Sequence, residues 1–242
     1  VAPIGVHDLV HYWPIAGAKG ARDWVAANMF AGTAGPTTFQ VRFLAGALDG
    51  SALPADALNV KFALRDGEIN YITGLTHLTQ VQGTAELTGE TFSAQVSSAR
   101  AGPLALTAAR FTVPDLNVPD EAGDITGHVQ GSMPDLLALV DMPPLHYPTR
   151  FGISPGDAKG TAALDLSVHL PLSKSVSIDD IKVGIKAAAT NFGISLGPQT
   201  RLTDGTVDFD IDNVRLHATG TTGIGGSASR LTLDWTEDFK TA

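Results

Sequence analysis

Two serines in this sequence have the spacing of a hydrolase nucleophile. Ser154 occurs in residues 152–156 and Ser195 in residues 193–197, and both segments have the form G-x-S-x-G. That motif works as a nucleophile elbow only where a strand turns sharply into a helix. Neither serine precedes a helical pattern, and a chain with 26 glycines produces such matches by chance. We therefore expect no enzyme, and a hydrolase that uses Ser195 with His217 is kept only as a third alternative.

Acidic and imidazole side chains are the other candidates for chemistry. Every second residue from Asp208 to Asp212 is an aspartate, with apolar residues between them. This alternation is typical of the solvated face of a strand, whereas a calcium loop needs its acids to converge around a turn. The seven histidines lack metal-binding spacings, and residues 220–226 lack the helix that a phosphate-binding glycine loop requires. We expect no metal and no cofactor.

Composition excludes several classes of partner. The 242-residue chain carries a formal charge of −9, which disfavours nucleic acid and electrostatic docking on an anionic bilayer. It contains no cysteine, so disulfides and thiolate metal sites are excluded. No stretch approaches the roughly 18 apolar residues of a membrane-spanning helix. The chain begins VAPIG without Met, and we expect it to be a section of a longer protein.

Most of the chain has the pattern of half-buried strands. Residues 160–170 alternate strictly, with Leu164, Leu166 and Val168 on one side and Asp165 and Ser167 on the other. The pattern recurs in about fourteen short strands joined by glycine-containing turns. Since no helices separate these strands, neighbours should pair antiparallel as a meander.

Helices are few in this sequence. Trp24, Val25 and Met29 predict one helix over residues 18–29, and Pro134 begins a shorter one over residues 134–140. We therefore predict an all-β protein with one or two short helices. Residues 1–36 would form an N-terminal segment and residues 37–242 the sheet. The residues alone leave open whether the apolar face is an exposed groove or the core of a closed sandwich.

Four segments resemble bacterial YhdP-like proteins of the AsmA-like group. Residues 13–28 (WPIAGAKGARDWVAAN) resemble the entry segment of that family, with its pattern WP…A..AR.WV..N. Residues 81–92, 161–171 and 201–207 resemble its characteristic strands and hairpins, and they occur in the same order. The resemblance covers most of residues 12–235. It implies a long curved antiparallel meander sheet that forms an open β-groove, or half-pipe.

The resemblance also implies a function. Such a protein would be a periplasmic section of a lipid-transfer conduit, tethered to the bacterial inner membrane by a helix outside this section. It would shield phospholipid acyl chains between inner and outer membranes and support outer-membrane integrity. Its partners would be phospholipid and neighbouring segments of the same chain. The alternative is a structural β-domain that pairs edge to edge with neighbouring domains without binding lipid.

Under the conduit hypothesis, a set of apolar residues at alternating strand positions would line the groove. They are Leu164, Leu166, Val168, Ile181, Val183, Ile185, Ile194, Val207, Phe209, Leu216, Leu231 and Leu233.

Overall fold

The computed structural model contains one open antiparallel sheet. It describes residues 3–12, 19–42, 54–118, 121–143, 145–150, 152–172, 180–197 and 199–236. Within these residues twelve strands follow each other in chain order, and each pairs antiparallel with the next. The first strand does not pair with the last, so the sheet does not close into a barrel. This confirms the predicted all-β meander with an open groove.

The elements have the following bounds. The strands are β1 (Ile4–Gly5), β2 (Met29–Val41), β3 (Leu58–Ile69), β4 (Leu78–Thr88), β5 (Phe92–Ala101), β6 (Leu104–Val113), β7 (Ala122–Ser132), β8 (Lys159–Pro171), β9 (Lys182–Leu196), β10 (Thr200–Asp212), β11 (Arg215–Ile224) and β12 (Ser227–Thr236). The helices are α1 (Val6–Tyr12), α2 (Lys19–Asn28), α3 (Met133–Asp141) and α4 (Tyr147–Arg150), with a 3-10 turn at Pro155–Asp157.

The helices differ from the sequence prediction in number and in detail. The described residues contain four helices, and the sequence segments of α1 and α4 are too short to predict a helix. Helix α2 matches the predicted helix over residues 18–29, although residue 18 lies outside the described residues and Met29 already begins β2. The predicted division at residue 36 falls inside β2. None of the described helices is both long and apolar enough to cross a membrane.

Beta-bulges cross the sheet near one end of its strands. Asp66, Gln80, Ala108, Asn191 and Asp204 all have positive φ angles close to 50°, and the strand register shifts beside them. A bulge inserts one residue and so reverses the alternation of the residues that follow. It therefore lets each of these strands keep apolar residues on the same face of the sheet on both sides of the bulge.

The bulge at Asp66 lies in a segment for which the sequence predicts a hairpin turn. Residues 65–68 (RDGE) have the composition of a hairpin turn and are expected to separate two strands. In the structure they lie inside β3, which continues to Ile69. Asp66 takes the left-handed conformation that a hairpin would also use, but here it forms a bulge opposite β4. The same residue types suit both structures, because both need a left-handed residue.

Candidate functional site: an apolar trough

Directly paired residues define a single apolar face across β8 to β12. Side chains of paired residues lie on the same side of a sheet. One row across the sheet is therefore Ala162, Ala189, Val207, Gly220 and Leu231; the next is Leu164, Ala187, Phe209, Ala218 and Leu233; and a third is Leu166, Ile185, Ile211, Leu216 and Trp235. None of these positions carries a charged side chain. We call this face the trough.

One part of the trough is covered by protein. Ala162, Ala189 and Val207 are buried, and they belong to one cluster with Met133 and Leu136 of α3. Phe192, Ile194 and Leu202, which lie beyond the bulges of β9 and β10, belong to the same cluster. Leu164, Phe209, Leu216 and Leu231 pack against its margin. These side chains form the covered part of the trough, and they contact protein.

Local sequence explains why α3 forms at this place. Ser132 caps the helix by accepting a hydrogen bond from the backbone N–H of Asp135 at 3.2 Å. Pro134 stands in the first turn, where its missing N–H has no consequence. At the other end Asp141 accepts hydrogen bonds from the backbone and side chain of Thr149, at 3.0 and 2.8 Å. The cap stabilises the start of α3, and the hydrogen bonds between Asp141 and Thr149 join its end to α4.

Another part of the trough has no such cover from the described residues. Leu166 and Val168 of β8 and Val183 and Ile185 of β9 are only partly buried. They form two directly paired couples, Leu166 with Ile185 and Val168 with Val183. Within the described residues they belong to none of the three clusters of buried apolar side chains. We call these four residues the open part of the trough.

Glycines on β7 shape the floor beside β8. Gly127 pairs with Leu166, and a Cβ at Gly127 would lie 3.2 Å from both Leu106 Cδ1 and Ala109 Cβ. A Cβ on Gly131 would collide with Leu104. Side chains of β6 therefore lean over β7, where glycine leaves room for them.

The opposite face of the same strands is polar, and its carboxylates alternate with basic side chains. One row across six strands contains His128, Asp165, Lys186, Asp210, His217 and Asp234. Within it, His128 Nδ1 lies 2.9 Å from Asp165 Oδ1, and His217 Nδ1 lies 2.7 Å from Asp234 Oδ1. Cross-strand pairs of opposite charge favour one register. These polar pairs therefore favour the register that places the apolar side chains of β8 to β12 in the trough.

Ion pairs on the polar face lower the pKa of two carboxyls. The guanidinium of Arg215, followed by the ring of His217, lowers the pKa of Asp234 from its ordinary value. Hydrogen bonds from Asn59 and Lys61 lower the pKa of Glu86. Asp234 is exposed and Glu86 is partly exposed, so we expect both carboxyls to contribute more to register and solubility than to stability.

The residues proposed to line the groove fall into different environments. Leu166, Val168, Val183 and Ile185 form the open part. Ile194 and Val207 are buried in the covered part, while Leu233 on β12 is 40% exposed. Ile181 is partly buried and directly precedes β9. The remaining four, Leu164, Phe209, Leu216 and Leu231, lie at the margin of the covered part. Contact with lipid stays a prediction for all twelve.

The serine and histidine of the hydrolase alternative lie far apart. Ser195 pairs with Arg201 of β10, whereas His217 pairs with Asp210 of the same strand. Nine positions of an extended strand separate these two registers by roughly 30 Å. The imidazole of His217 is instead hydrogen-bonded to Asp234. Ser154 directly precedes the 3-10 turn. Among the described residues no group of three or more His, Asp or Glu side chains is placed to hold a metal ion.

Several residues of the covered part were not predicted from the sequence. Leu104, Ala162, Ala189 and Phe192 are buried in the same cluster as α3. The change of alternation between Ala189 and Phe192 was a visible signal, since the apolar positions switch from odd to even numbers there. It marks the bulge at Asn191.

In a comparison with protein-family models, the model described as YhdP protein matches residues 3–239. This match covers nearly the whole chain. The chain belongs to the YhdP protein family. Neither the curated proteins nor the solved structures contain a match. The family assignment of this YhdP-family chain therefore depends on the family model, whereas the trough is defined by strand pairing and burial.

Proposed function

We propose that this YhdP-family chain is a section of a lipid conduit in the bacterial envelope, and that the open part of the trough shields phospholipid acyl chains. The family suggests a role in lipid transport. The observation that carries the proposal is the pairing of Leu166 and Val168 with Ile185 and Val183, a partly exposed apolar surface without cover among the described residues. In a domain that binds nothing, such a surface would be left in water at a cost.

The dimensions and chemistry of the trough suit an acyl chain. The five strands β8 to β12, at the usual spacing of a sheet, span roughly 20 Å. Each methylene group that leaves water for an apolar surface contributes about 0.8 kcal/mol. The rows across β8 to β12 carry no charge that would have to lose its hydration, so a chain can lie along the trough at many positions. The proposal involves no catalytic step and no cofactor.

The proposed location is the periplasm. YhdP-family proteins belong to the bacterial envelope, and a section that carries acyl chains between two membranes would lie in the compartment between them. In the proposal, a helix elsewhere in the full-length protein tethers it to the inner membrane. Neighbouring segments of that protein would continue the conduit.

Bound lipid in the purified chain tests the proposal. Native mass spectrometry of the chain should detect phospholipid adducts. We expect the Val168→Asp variant to stay folded and to lose these adducts, because a carboxylate would lie in the open part. Ser167→Asp is the matched control, since Ser167 is the next residue but faces the polar side; it should keep the adducts. A folded wild-type chain that neither carries nor takes up phospholipid from vesicles would contradict the proposal.

A further inference from the structure

Strands β7 and β8 are joined by a long insertion. They pair without a register shift from Ala122 with Pro171 to Ser132 with Thr161, so the sheet is complete up to that end. At the same end, two residues are enough to join β5 to β6 and β11 to β12. Between β7 and β8 the chain instead runs through residues 133–158, which contain α3, α4 and the 3-10 turn. We call these residues the insertion, and strand pairing does not require them.

The insertion supplies apolar side chains to the covered part of the trough. Met133, Leu136 and Ala158 are buried in the cluster that contains Val207, and Ile153 packs against this cluster. These residues come from the start of α3, from the segment before the 3-10 turn and from the residue after it. The whole length of the insertion therefore contributes to the cover.

The sheet contributes small side chains to the same cluster. Ala162 of β8 and Ala189 of β9 are directly paired and buried in it. They lie on the face that carries Leu164 and Leu166, so their surface continues into the open part of the trough. An acyl chain offers these alanines the same apolar contact that the insertion offers. Lipid and insertion therefore compete for one surface, and a ligand that binds only the uncovered state increases its population.

The insertion also contacts the loop between β3 and β4. Thr76 Oγ1 in this loop donates a hydrogen bond to Met142 Sδ, directly after α3, at 3.4 Å. A Cβ on Gly74 would lie 2.6 Å from the carbonyl oxygen of Pro143, so only glycine permits this approach. The nine residues of α3 span roughly 13 Å, which matches the three strand spacings from β7 to β4. We call this contact the latch, and its thioether acceptor makes it a weak one.

We propose that the insertion is a lid, which lifts from the trough when phospholipid acyl chains take the place of its apolar side chains on β8 and β9. The proposal rests on the proposed function and adds the covered part to the surface that lipid occupies. Lifting breaks the latch but no strand pair, because the insertion leaves and rejoins the sheet beside the paired residues Ser132 and Thr161.

Locking the latch tests the lid. Because the chain contains no cysteine, a bifunctional methanethiosulfonate can join Thr76→Cys to Met142→Cys, and a reducing agent releases them. A photoreactive amino acid at Leu164 reports lipid at the margin of the covered part, and one at Val168 reports lipid in the open part. With phospholipid vesicles, locking should reduce labelling at Leu164 to background, and reduction should restore it. Labelling at Val168 should persist in both states.

Thr161→Cys with Thr190→Cys is the matched control, since their hydroxyl oxygens lie 3.2 Å apart on the polar face of β8 and β9. The same reagent should leave labelling at Leu164 unchanged there. If Val168 is labelled but Leu164 is never labelled, or is labelled equally in the locked chain, the lid is overturned and the proposed function stands. Absence of labelling at both positions would contradict the proposed function as well.

The movement itself can be measured with two spin labels. Ala138→Cys lies on α3 and Thr84→Cys on the polar face of β4, and both positions are exposed. Phospholipid vesicles should add a second distance between the labels, longer by about one helix diameter, roughly 10 Å. A single distance that bound lipid does not change would overturn the lid.

Discussion

Val207 and Val168 lie on the same face of the same sheet, yet their surroundings differ. Val207 is 1% exposed and is buried in a cluster that includes Met133 and Leu136 of α3. Val168 is partly buried, and within the described residues it belongs to no such cluster. Strand alternation puts both on the apolar face, but only Val207 is packed inside the cluster to which α3 contributes. The comparison separates the part of the trough that stabilises the fold from the part available to a ligand.

Introducing a charge should distinguish the two parts most strongly. Val207→Asp would bury an unpaired carboxylate, which should lower the free energy of unfolding by about 4 kcal/mol or more. Val168→Asp should cost no more than about 1 kcal/mol, because its carboxylate can reach water. Urea unfolding followed by circular dichroism measures both. Equal losses at the two positions would mean that the open part is also a closed core.

Removing the cap of α3 should loosen the cover. Ser132→Ala deletes the side chain that accepts from the N–H of Asp135, and we expect a loss of about 1 kcal/mol. Hydrogen exchange should increase at Ala162 and Ala189 beneath the helix and stay unchanged at Val168. Ser98→Ala is the control, since Ser98 is exposed on β5, and it should change little. An unchanged exchange rate at Ala189 would show that α3 does not protect the covered part.

Glycine at a bulge should stabilise the sheet slightly. Ala108 has a φ of 50°, a conformation that is costly for a residue with a Cβ. Ala108→Gly should therefore raise the free energy of unfolding by about 0.5 kcal/mol. Its neighbour Ala109 lies on the trough side in ordinary strand conformation, and Ala109→Gly should destabilise by a similar amount. A destabilising Ala108→Gly would argue that the bulge is not at this residue.

The smallest expected effect concerns pH and the polar face. Hydrogen bonds from Asn59 and Lys61 lower the pKa of Glu86 in the folded chain, so the ionised carboxyl favours folding. This contribution is present above the ordinary glutamate pKa and disappears as pH falls through the lowered value. We expect Glu86→Gln to be slightly less stable than wild type at pH 7 and to match it at strongly acidic pH. Melting temperatures of both proteins across this range measure the difference. A difference that widens towards acidic pH would contradict the assignment.

Much of the sheet was predictable because alternation is local. Residues 160–170 alternate so regularly that β8 could be placed to within a residue at each end. The same alternation also predicted which residues of each strand lie on the polar face. The phase change between Ala189 and Phe192 was also visible, but its cause, a bulge at Asn191, became clear only from the register of β9 and β10.

The cover of the trough was not predictable, since it depends on contacts between distant segments. Alternation makes Val207 and Val168 equivalent, and nothing local to either strand predicts that the cluster containing α3 residues includes only Val207. Helix α1 was missed because seven residues give too short a pattern to distinguish from a loop. The edges of the sheet likewise depend on which strands find a partner.

Photo-crosslinking at neighbouring positions of β8 tests the account most directly. A photoreactive amino acid at Val168 or at Ser167 would differ only in the face that it presents. With phospholipid vesicles present, we expect crosslinked lipid at Val168 and background labelling at Ser167. Equal labelling at the two positions, or none at Val168 in a folded chain, would contradict the claim that the open part of the trough holds acyl chains.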